Sequence, residues 1–248
     1  MTPPVFYAPP ENVGDDQIVL PLDESRHARQ VMRLTPGAIV MVVDGLGSAW
    51  RGEISGGDSM SVTVFIHQPL RNFGEPSVRL TLAVGLSQAS KLDSIVQRGT
   101  ELGVIRFVPV ITAKSKVKLE DPKRARSRVT RLERVALAAM KQCRRSYRPE
   151  IAAPLPLTDY LADTDPESVR LVFHPARDAR PLGEIGFPDS TRRVTALTGP
   201  EAGFAPDEIA LARAAGFDVV GLGPRILRSE TAAPVICALI MERLGEFS

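Results

Sequence analysis

The sequence predicts an α/β protein in two parts: a small β-rich domain over residues 1–73 and a larger domain over 74–248 built on a mainly parallel sheet. Three observations carry this expectation. The 248 residues exceed the ~150 of a typical single domain. Short apolar runs separated by glycine turns fill the first part, whereas strand-like and helix-like segments alternate in the second, and alternation implies parallel strands with helices on both faces. Between the two textures lies Arg71-Asn72-Phe73-Gly74-Glu75-Pro76, polar and rich in chain breakers.

In the first part, Ile39 to Asp44, Ala49 to Ile54 and Ser61 to Ile66 read as strands separated by Asp44-Gly45-Leu46-Gly47 and Gly56-Gly57-Asp58, the pattern of an antiparallel unit that closes as a small barrel. A short helix over Glu24 to Leu34, bearing His27, Arg29 and Arg33, precedes them and stops at Thr35-Pro36-Gly37. In the second part, Val78 to Gly85 is a strand, and Ser90 is the expected N-cap of a helix that Gly103 ends. Val104 to Ile111 is a β-branched strand. Asp121-Pro122 opens a long helix whose buried stripe is Val129, Leu132, Val135, Ala136, Ala139 and Cys143. Leu171 to Phe173, Val194 to Leu197 and Phe217 to Gly221 are further strands, with a helix from Pro206-Asp207-Glu208 to Gly216 between the last two. The final helix is expected from about Ala232 to Leu244. Proline is tolerated in a first helical turn and disruptive further in, and with Thr231 as N-cap Pro234 would be the third helical residue; with Ser229 as N-cap it would be the fifth and forfeit the bond to the Glu230 carbonyl.

At 44% hydrophobic and 24% charged residues, the composition excludes a disordered or collagenous chain. The longest apolar stretch, Ala232 to Met241, is about half the ~20 residues of a membrane helix, so no span is expected. Cys143 and Cys237 stand far apart, and His27, His67 and His174 are scattered, so neither a zinc site nor a disulfide framework is expected. The first sixteen residues lack a basic and an apolar signal region; with the cysteine usage, this sets the expected location as cytoplasmic. The net charge of +2 hides an asymmetry: thirteen Lys/Arg against three Asp/Glu fall between Lys114 and Arg148. One dense basic segment on an otherwise acidic chain points to a polyanionic partner, with a merely solvated helix face as the alternative.

A parallel sheet binds ligands beyond the carboxyl ends of its strands, and two loops stand out there. Leu197-Thr198-Gly199-Pro200-Glu201-Ala202-Gly203-Phe204 follows one strand, and Leu222-Gly223-Pro224-Arg225-Ile226-Leu227-Arg228-Ser229-Glu230-Thr231 follows another. Neither fits G-x-G-x-x-G, and no phosphate-binding G-x-x-x-x-G-K-[ST] occurs. Two Gly-Pro turns can wall in a flat ligand or serve only as tight connections.

The stretch LTGPEAGFAPDEIALARAAGF followed by LGPRILRSETAAP closely resembles the C-terminal signature of the bacterial 16S rRNA uracil-N3-methyltransferase family, within the knotted methyltransferases called SPOUT. Supporting pieces are His27 with Val31-Met32-Arg33-Leu34, Lys91 with Glu101-Leu102-Gly103-Val104, Gln142 with Arg145 and Pro149, and His174-Pro175. The resemblance implies a trefoil knot formed after Val194, S-adenosylmethionine bound within it, a homodimer, and an N-terminal barrel similar to PUA RNA-binding domains. It implies cofactor contacts at His174, Leu197, Thr198, Gly199, Glu201, Gly203, Leu222, Gly223, Ile226 and Leu227, with 16S rRNA or the small ribosomal subunit as partner and no metal.

Uracil N3 carries a proton at neutral pH, so transfer to it requires stabilising the ring anion. Arg225 and Arg228 are the expected donors, either to that anion or to a phosphate, unless they pair with Glu201 or Glu230. Glu230 or Glu201 is the expected acid–base group, the choice staying open. Arg29, Arg33, Lys114, Lys116, Arg124, Arg126, Arg128 and Arg145 are the expected RNA contacts. Three departures from the family pattern stand out: Ala202 for a second glycine, Pro234 for a helix-friendly residue, and Lys141 for an acid before Gln142. Competing readings are a SPOUT enzyme with another RNA target and a non-catalytic rRNA-binding protein; the absence of a Ser-Leu-Asn element argues against the ribose-modifying class.

Overall fold

The structure, a computed structural model, describes residues 2–115 and 121–247. They form two compact units: the chain up to Glu75 together with Leu137–Arg148, and Pro76–Ala136 together with the chain from Pro149 onward. The single linear boundary expected near residue 73 does not include the second segment of the first unit.

The first unit holds a five-stranded sheet in the order β1(Val5–Tyr7), β3(Ile39–Val43), β4(Ser48–Gly57), β5(Val62–Arg71), β2(Gln17–Val19). Its β3-β4-β5 meander is antiparallel as expected, but β1 joins β3 in parallel. Phe6, Ile18, Val40, Val42, Ile54 and Val64 are fully buried on its inner face, the alternation that a half-covered sheet requires. The expected helix is a single turn, α1(Leu22–Arg26), continued by a π-turn over His27–Val31. Beyond it Arg33 takes φ +53, and Arg29 Nη1 donates to the Leu34 carbonyl at 2.6 Å.

Leu137–Arg148 fastens to this unit by polar contacts. Arg145 donates from Nε and Nη2 to Glu75 at 3.0 and 2.7 Å, and the other Glu75 oxygen accepts the Ser146 and Tyr147 amides. Arg145, expected on RNA, is only 2% exposed; it offers a phosphate no surface and serves as a buried clasp. Lys141 pairs with Glu24, so the departure at 141 is matched by a carboxylate in the first unit.

The second unit is built on a parallel sheet in the order β11(Arg180–Pro181), β13(Asp218–Gly221), β10(Val169–Phe173), β12(Arg193–Thr198), β6(Arg79–Gly85), β7(Val104–Ile111), β8(Glu150–Ile151), with β9(Leu155–Pro156) also on β7. The central strands are nearly continuous apolar runs because both faces are covered. On one face lie α2(Ala89–Glu101), α3(Pro122–Cys143) and α6(Ser229–Arg243), packed with Leu80, Leu82, Leu92, Ile95, Leu132 and Ile236. On the other lie α4(Leu157–Ala162) and α5(Pro206–Ala214). Burying each of these Leu and Ile side chains contributes about 1.5–3 kcal/mol.

Caps differ from expectation at two helices. Gln88, not Ser90, precedes α2, with no side-chain cap. The last helix begins at Ser229, where Arg228 O accepts the Ala232 amide at 2.7 Å, so the expected start near Ala232 is overturned. Pro234 sits inside the helix and leaves the Glu230 carbonyl without its i+4 amide. Arg98 Nη1 of α2 donates to that carbonyl at 3.3 Å, a replacement from a helix 132 positions away in the chain that leaves no local signal in the sequence.

Candidate active site

Three neighbouring strands, β13, β10 and β12, end on one side of a cavity of about 340 Å³. The turn after β10 supplies His174; the last residue of β12 and the loop after it supply Thr198 to Phe204; the loop after β13 supplies Leu222, Gly223 and Arg225 to Leu227. Of the expected cofactor positions, all but Leu197 line it. Leu197 is fully buried and pairs with Ala83, so its side chain supports the strand from below.

The loop after β12 is held on every side. Gly85, at the end of β6, lies so close beneath it that a Cβ there would stand 2.2 Å from the Pro200 nitrogen and 2.7 Å from the Gly199 carbonyl carbon; any side chain would displace the turn. A Cβ on Gly199 would meet the Phe204 ring at 3.2 Å. The Gly203 amide closes the turn on the Pro200 carbonyl at 2.8 Å, and Lys114 Nζ donates to the Phe204 carbonyl at 2.9 Å. Lys114, expected on RNA, is thus a wall of the cavity. Gly203 and Gly223 have φ +68 and +86, and nothing lies within 4 Å of where their Cβ atoms would be. Both need glycine for backbone reasons, and both leave bare backbone facing free space.

Lys91 in the first turn of α2 joins the two loops. Its Nζ lies 3.0 Å from Glu201 and 3.7 Å from Glu230. The Glu230 carboxyl is held below the usual range by a hydrogen bond from its own backbone amide, then by the Ser229 hydroxyl and the charges of Lys91 and Arg228. Glu230, one of the two expected acid–base groups, is therefore an ion-paired carboxylate in the first turn of a helix. The pairing of Arg225 or Arg228 with Glu201 or Glu230 does not form: the carboxylates face Lys91 instead. In the sequence Lys91 is marked only by the family resemblance, and its spacing of 110 and 139 residues from its partners carries no local signal. Gly85 was likewise legible only as a strand end.

Arg225 and Ile226 are exposed on the cavity rim, Ile226 at 87%. Arg228 occupies the N-cap position of α6, exposed and outside the lining. His174 extends β10 by donating its amide to the Val220 carbonyl at 3.0 Å; burial and then the Lys114 charge lower its pKa, so the ring is neutral at pH 7. Cys237, fully buried in α6, has its thiol pushed up to about 12 by burial and is no nucleophile. Among the described residues no group of His, Cys, Asp and Glu suited to a metal occurs, and no helix is long and apolar enough to cross a membrane.

Of the remaining expected RNA contacts, Arg33, Arg124 and Arg126 are exposed or nearly so and Arg128 is half-buried, while Arg29 is partly engaged with its own turn. Lys116 lies outside the described residues.

A family model for an RNA methyltransferase domain matches residues 74–241, and a model for an RNA methyltransferase PUA domain matches residues 20–66. The chain belongs to the RNA methyltransferase family. Among curated relatives of this methyltransferase, ribosomal RNA small subunit methyltransferase E of a Synechocystis strain is 30% identical over 233 residues, covering 93% of this chain and 75% of that one. The Bacillus subtilis protein of the same name is 29% identical, covering 85% and 84%. Among solved structures, the Neisseria gonorrhoeae ribosomal RNA small subunit methyltransferase E bound to S-adenosylmethionine superposes with a TM-score of 0.89 at 29% identity over 100% of both chains. A Legionella pneumophila methyltransferase in complex with S-adenosylmethionine gives 0.87 at 26% identity over 98% of both. The fold is accordingly the one expected: a mainly parallel methyltransferase sheet preceded by a PUA-like barrel.

Proposed function

We propose that this methyltransferase transfers the methyl group of S-adenosylmethionine to ring nitrogen N3 of a uridine in 16S rRNA. The observation that carries this reading is the cavity bounded by two glycine-rich loops at adjacent strand ends. Its size falls within the ~300–1,000 Å³ of small-molecule sites, and its walls offer apolar surface at Phe173, Leu222 and Leu227 with bare backbone at Gly199, Gly203 and Gly223. Such walls suit a flat adenosine moiety, and loops without a phosphate-cradling motif suit a cofactor without phosphates. The residues present fit the group. When bound, it supplies a methyl on a positively charged sulfur.

The remaining roles belong to this chain. Backbone groups of Gly199, Gly203 and Gly223 hold adenine and ribose, with Glu201 at the cavity wall kept in place by Lys91. Neutral His174 adds no positive charge to a site that takes a cation. Arg225, exposed on the rim, donates to the uracil carbonyl oxygens flanking N3 and favours the anion that must form; Arg228, three residues on at the N-cap of α6, faces the neighbouring RNA backbone. The ion-paired Glu230 keeps this segment ordered; of the two carboxylates only Glu201 lines the cavity, where it too is paired with Lys91. Arg33 and the basic face of α3 supply sequence-independent attraction to phosphates. The reading includes a knotted chain path, a homodimer and action where ribosomes are assembled, all supported by the resemblance.

Incubation of the purified protein with labelled S-adenosylmethionine and small-subunit rRNA, followed by nucleoside analysis, tests the proposal. Label in N3-methyluridine is expected. Label on another base or a ribose hydroxyl would overturn the assignment of target, and cofactor binding without transfer would favour the non-catalytic reading.

A further inference from the structure

Outside the cofactor cavity, α2 and the first half of α3 enclose a notch of about 270 Å³ lined by Asp93, Arg124, Ser127, Arg128 and Arg131, with Leu92 in its wall. Positions 124, 128 and 131 recur at the spacing of one helix face, and Arg124 and Arg128 are one turn apart, about 6 Å along the axis. The charges do not balance. Arg131 is bonded to Asp93. Arg124, 85% exposed, has only Asp121 at 4.0 Å among the described residues. Arg128 has no carboxylate within ion-pair distance among the described residues; its Nη1 reaches the Ser87 carbonyl at a long 3.4 Å, and its Nε is shut off from solvent with no acceptor. Burial first, and then the charge of Arg131, push its pKa down, against a smaller upward pull from Asp93. A guanidinium does not give up its proton in a protein, so Arg128 is a fixed cation held under repulsion in a partly dry place.

We propose that this notch seats one backbone phosphate of the substrate RNA, gripped by Arg124 and Arg128 with the Ser127 hydroxyl between them. The inference rests on the RNA-methylation reading and gives it a defined contact in place of a diffuse field. Three arginines against one aspartate leave an excess of two positive charges in the lining, which a phosphodiester reduces. Arg128 is positioned in advance by its Ser87 bond, so little side-chain freedom is lost on binding, and a paired guanidinium fork suits phosphate oxygens. The source is a polynucleotide, not free phosphate, because the notch and the cofactor cavity share one turn of α2: Ala89 and Leu92 line the first, while Lys91 reaches Glu201 at 3.0 Å in the wall of the second. An RNA strand entering the cavity lays its backbone within reach of the notch.

The test uses the full chain, small-subunit rRNA, direct RNA binding by fluorescence anisotropy and steady-state methylation, with Arg124→Ala, Arg128→Ala and, two residues and about 200° around the helix, Arg126→Ala. Arg124→Ala and Arg128→Ala are each expected to weaken RNA binding and raise the RNA KM about tenfold, to lower the salt slope by roughly 0.7, the value for one phosphate on a single strand, and to leave kcat and S-adenosylmethionine affinity within about twofold. Arg126→Ala, which removes one charge of the diffuse basic face and none from the notch, is expected to weaken RNA binding by only about twofold, against about tenfold for the notch variants, and inorganic phosphate to compete with RNA in the wild type more than in Arg128→Ala. Equal losses in all three variants would overturn the seat in favour of a diffuse basic face. A fall in cofactor affinity or Tm in Arg128→Ala with unchanged RNA binding would make Arg128 only a clip on the Ser87 loop. Because anisotropy reads binding without catalysis, a wild-type protein that binds RNA through the notch but methylates nothing would sink the proposed function and leave the seat intact.

Discussion

The two loops that bound the cavity differ in how they are held. The loop after β12 rests on Gly85 from below, on Phe204 from the side, on Lys91 through Glu201 and on Lys114 through the Phe204 carbonyl. The loop after β13 leaves Gly223 and Arg225 open to solvent, with Ile226 87% exposed. A preformed wall and a bare rim suit different ligands: the first loses little order on taking a small cofactor, and the second keeps side chains free for a large substrate. Under the proposed function the braced loop forms one fixed wall for the cofactor, and the open loop closes the cavity at Leu222 and Gly223 while presenting Arg225 and Ile226 on the rim.

The most severe way to break this contrast is to unseat the rigid loop. Gly85→Ala places a methyl inside the Gly199-Pro200 backbone, and overpacking of this kind costs about 1–3 kcal/mol. Isothermal titration is expected to show S-adenosylmethionine affinity reduced by about a hundredfold, with a lowered Tm; unchanged affinity would mean that the wall is not preformed. On the open rim, Arg225→Ala should lower kcat by about a hundredfold, the usual loss for one donor to a developing anion, while cofactor affinity is kept. Arg228→Ala should have the smaller effect and appear mainly in the RNA KM; the reverse order would assign the anion to Arg228.

Removing the link between the loops tests whether they act together. Lys91→Met should reduce cofactor affinity about fivefold to tenfold, the range of a charge-assisted contact in partly exposed surroundings. Glu230 has a depressed pKa in the fold, so its contribution is present above the ordinary carboxylate range and is lost as pH falls through the lower, folded value. Lys91→Met should therefore shift the acid limb of stability toward higher pH, read by thermal melts between about pH 3 and 6. An unshifted limb would leave the backbone amide and Ser229 as sufficient causes.

The smallest expected effect lies where the open loop becomes helix. Arg98→Ala should cost about 1 kcal/mol by orphaning the Glu230 carbonyl. In a Pro234→Ala background the amide restored at that position bonds the carbonyl, and the same Arg98 change should cost only about a few tenths of a kcal/mol. A denaturant double-mutant cycle measures the coupling; additive losses would show that Arg98 does not substitute for the missing amide.

Much of this molecule was legible before the fold was known, and the reason is that its signals are local. Apolar runs ending in glycine marked β6 and β7, Asp121-Pro122 marked the start of α3, and the two Gly-Pro loops marked the cavity, because turn chemistry and hydrophobic period are written in consecutive residues. At α6, Pro234 does cost the Glu230 carbonyl its amide as the sequence predicts, but the helix starts at Ser229 and not near Ala232, with Arg98 of α2 supplying the donor. The sequence by itself therefore determined the element types, the glycine loops and the basic character of α3. Tertiary structure alone decided the strand order that sets β13, β10 and β12 side by side, the seat of Pro200 on Gly85, the Lys91 bridge between Glu201 and Glu230, and the conversion of Arg145 from a surface cation into the partner of Glu75. Each of these side-chain and backbone pairings joins residues about 70 to 140 positions apart. Such pairings leave no periodic or turn signature, because they are fixed by which faces the packed sheet brings together and not by the conformational preference of any short segment.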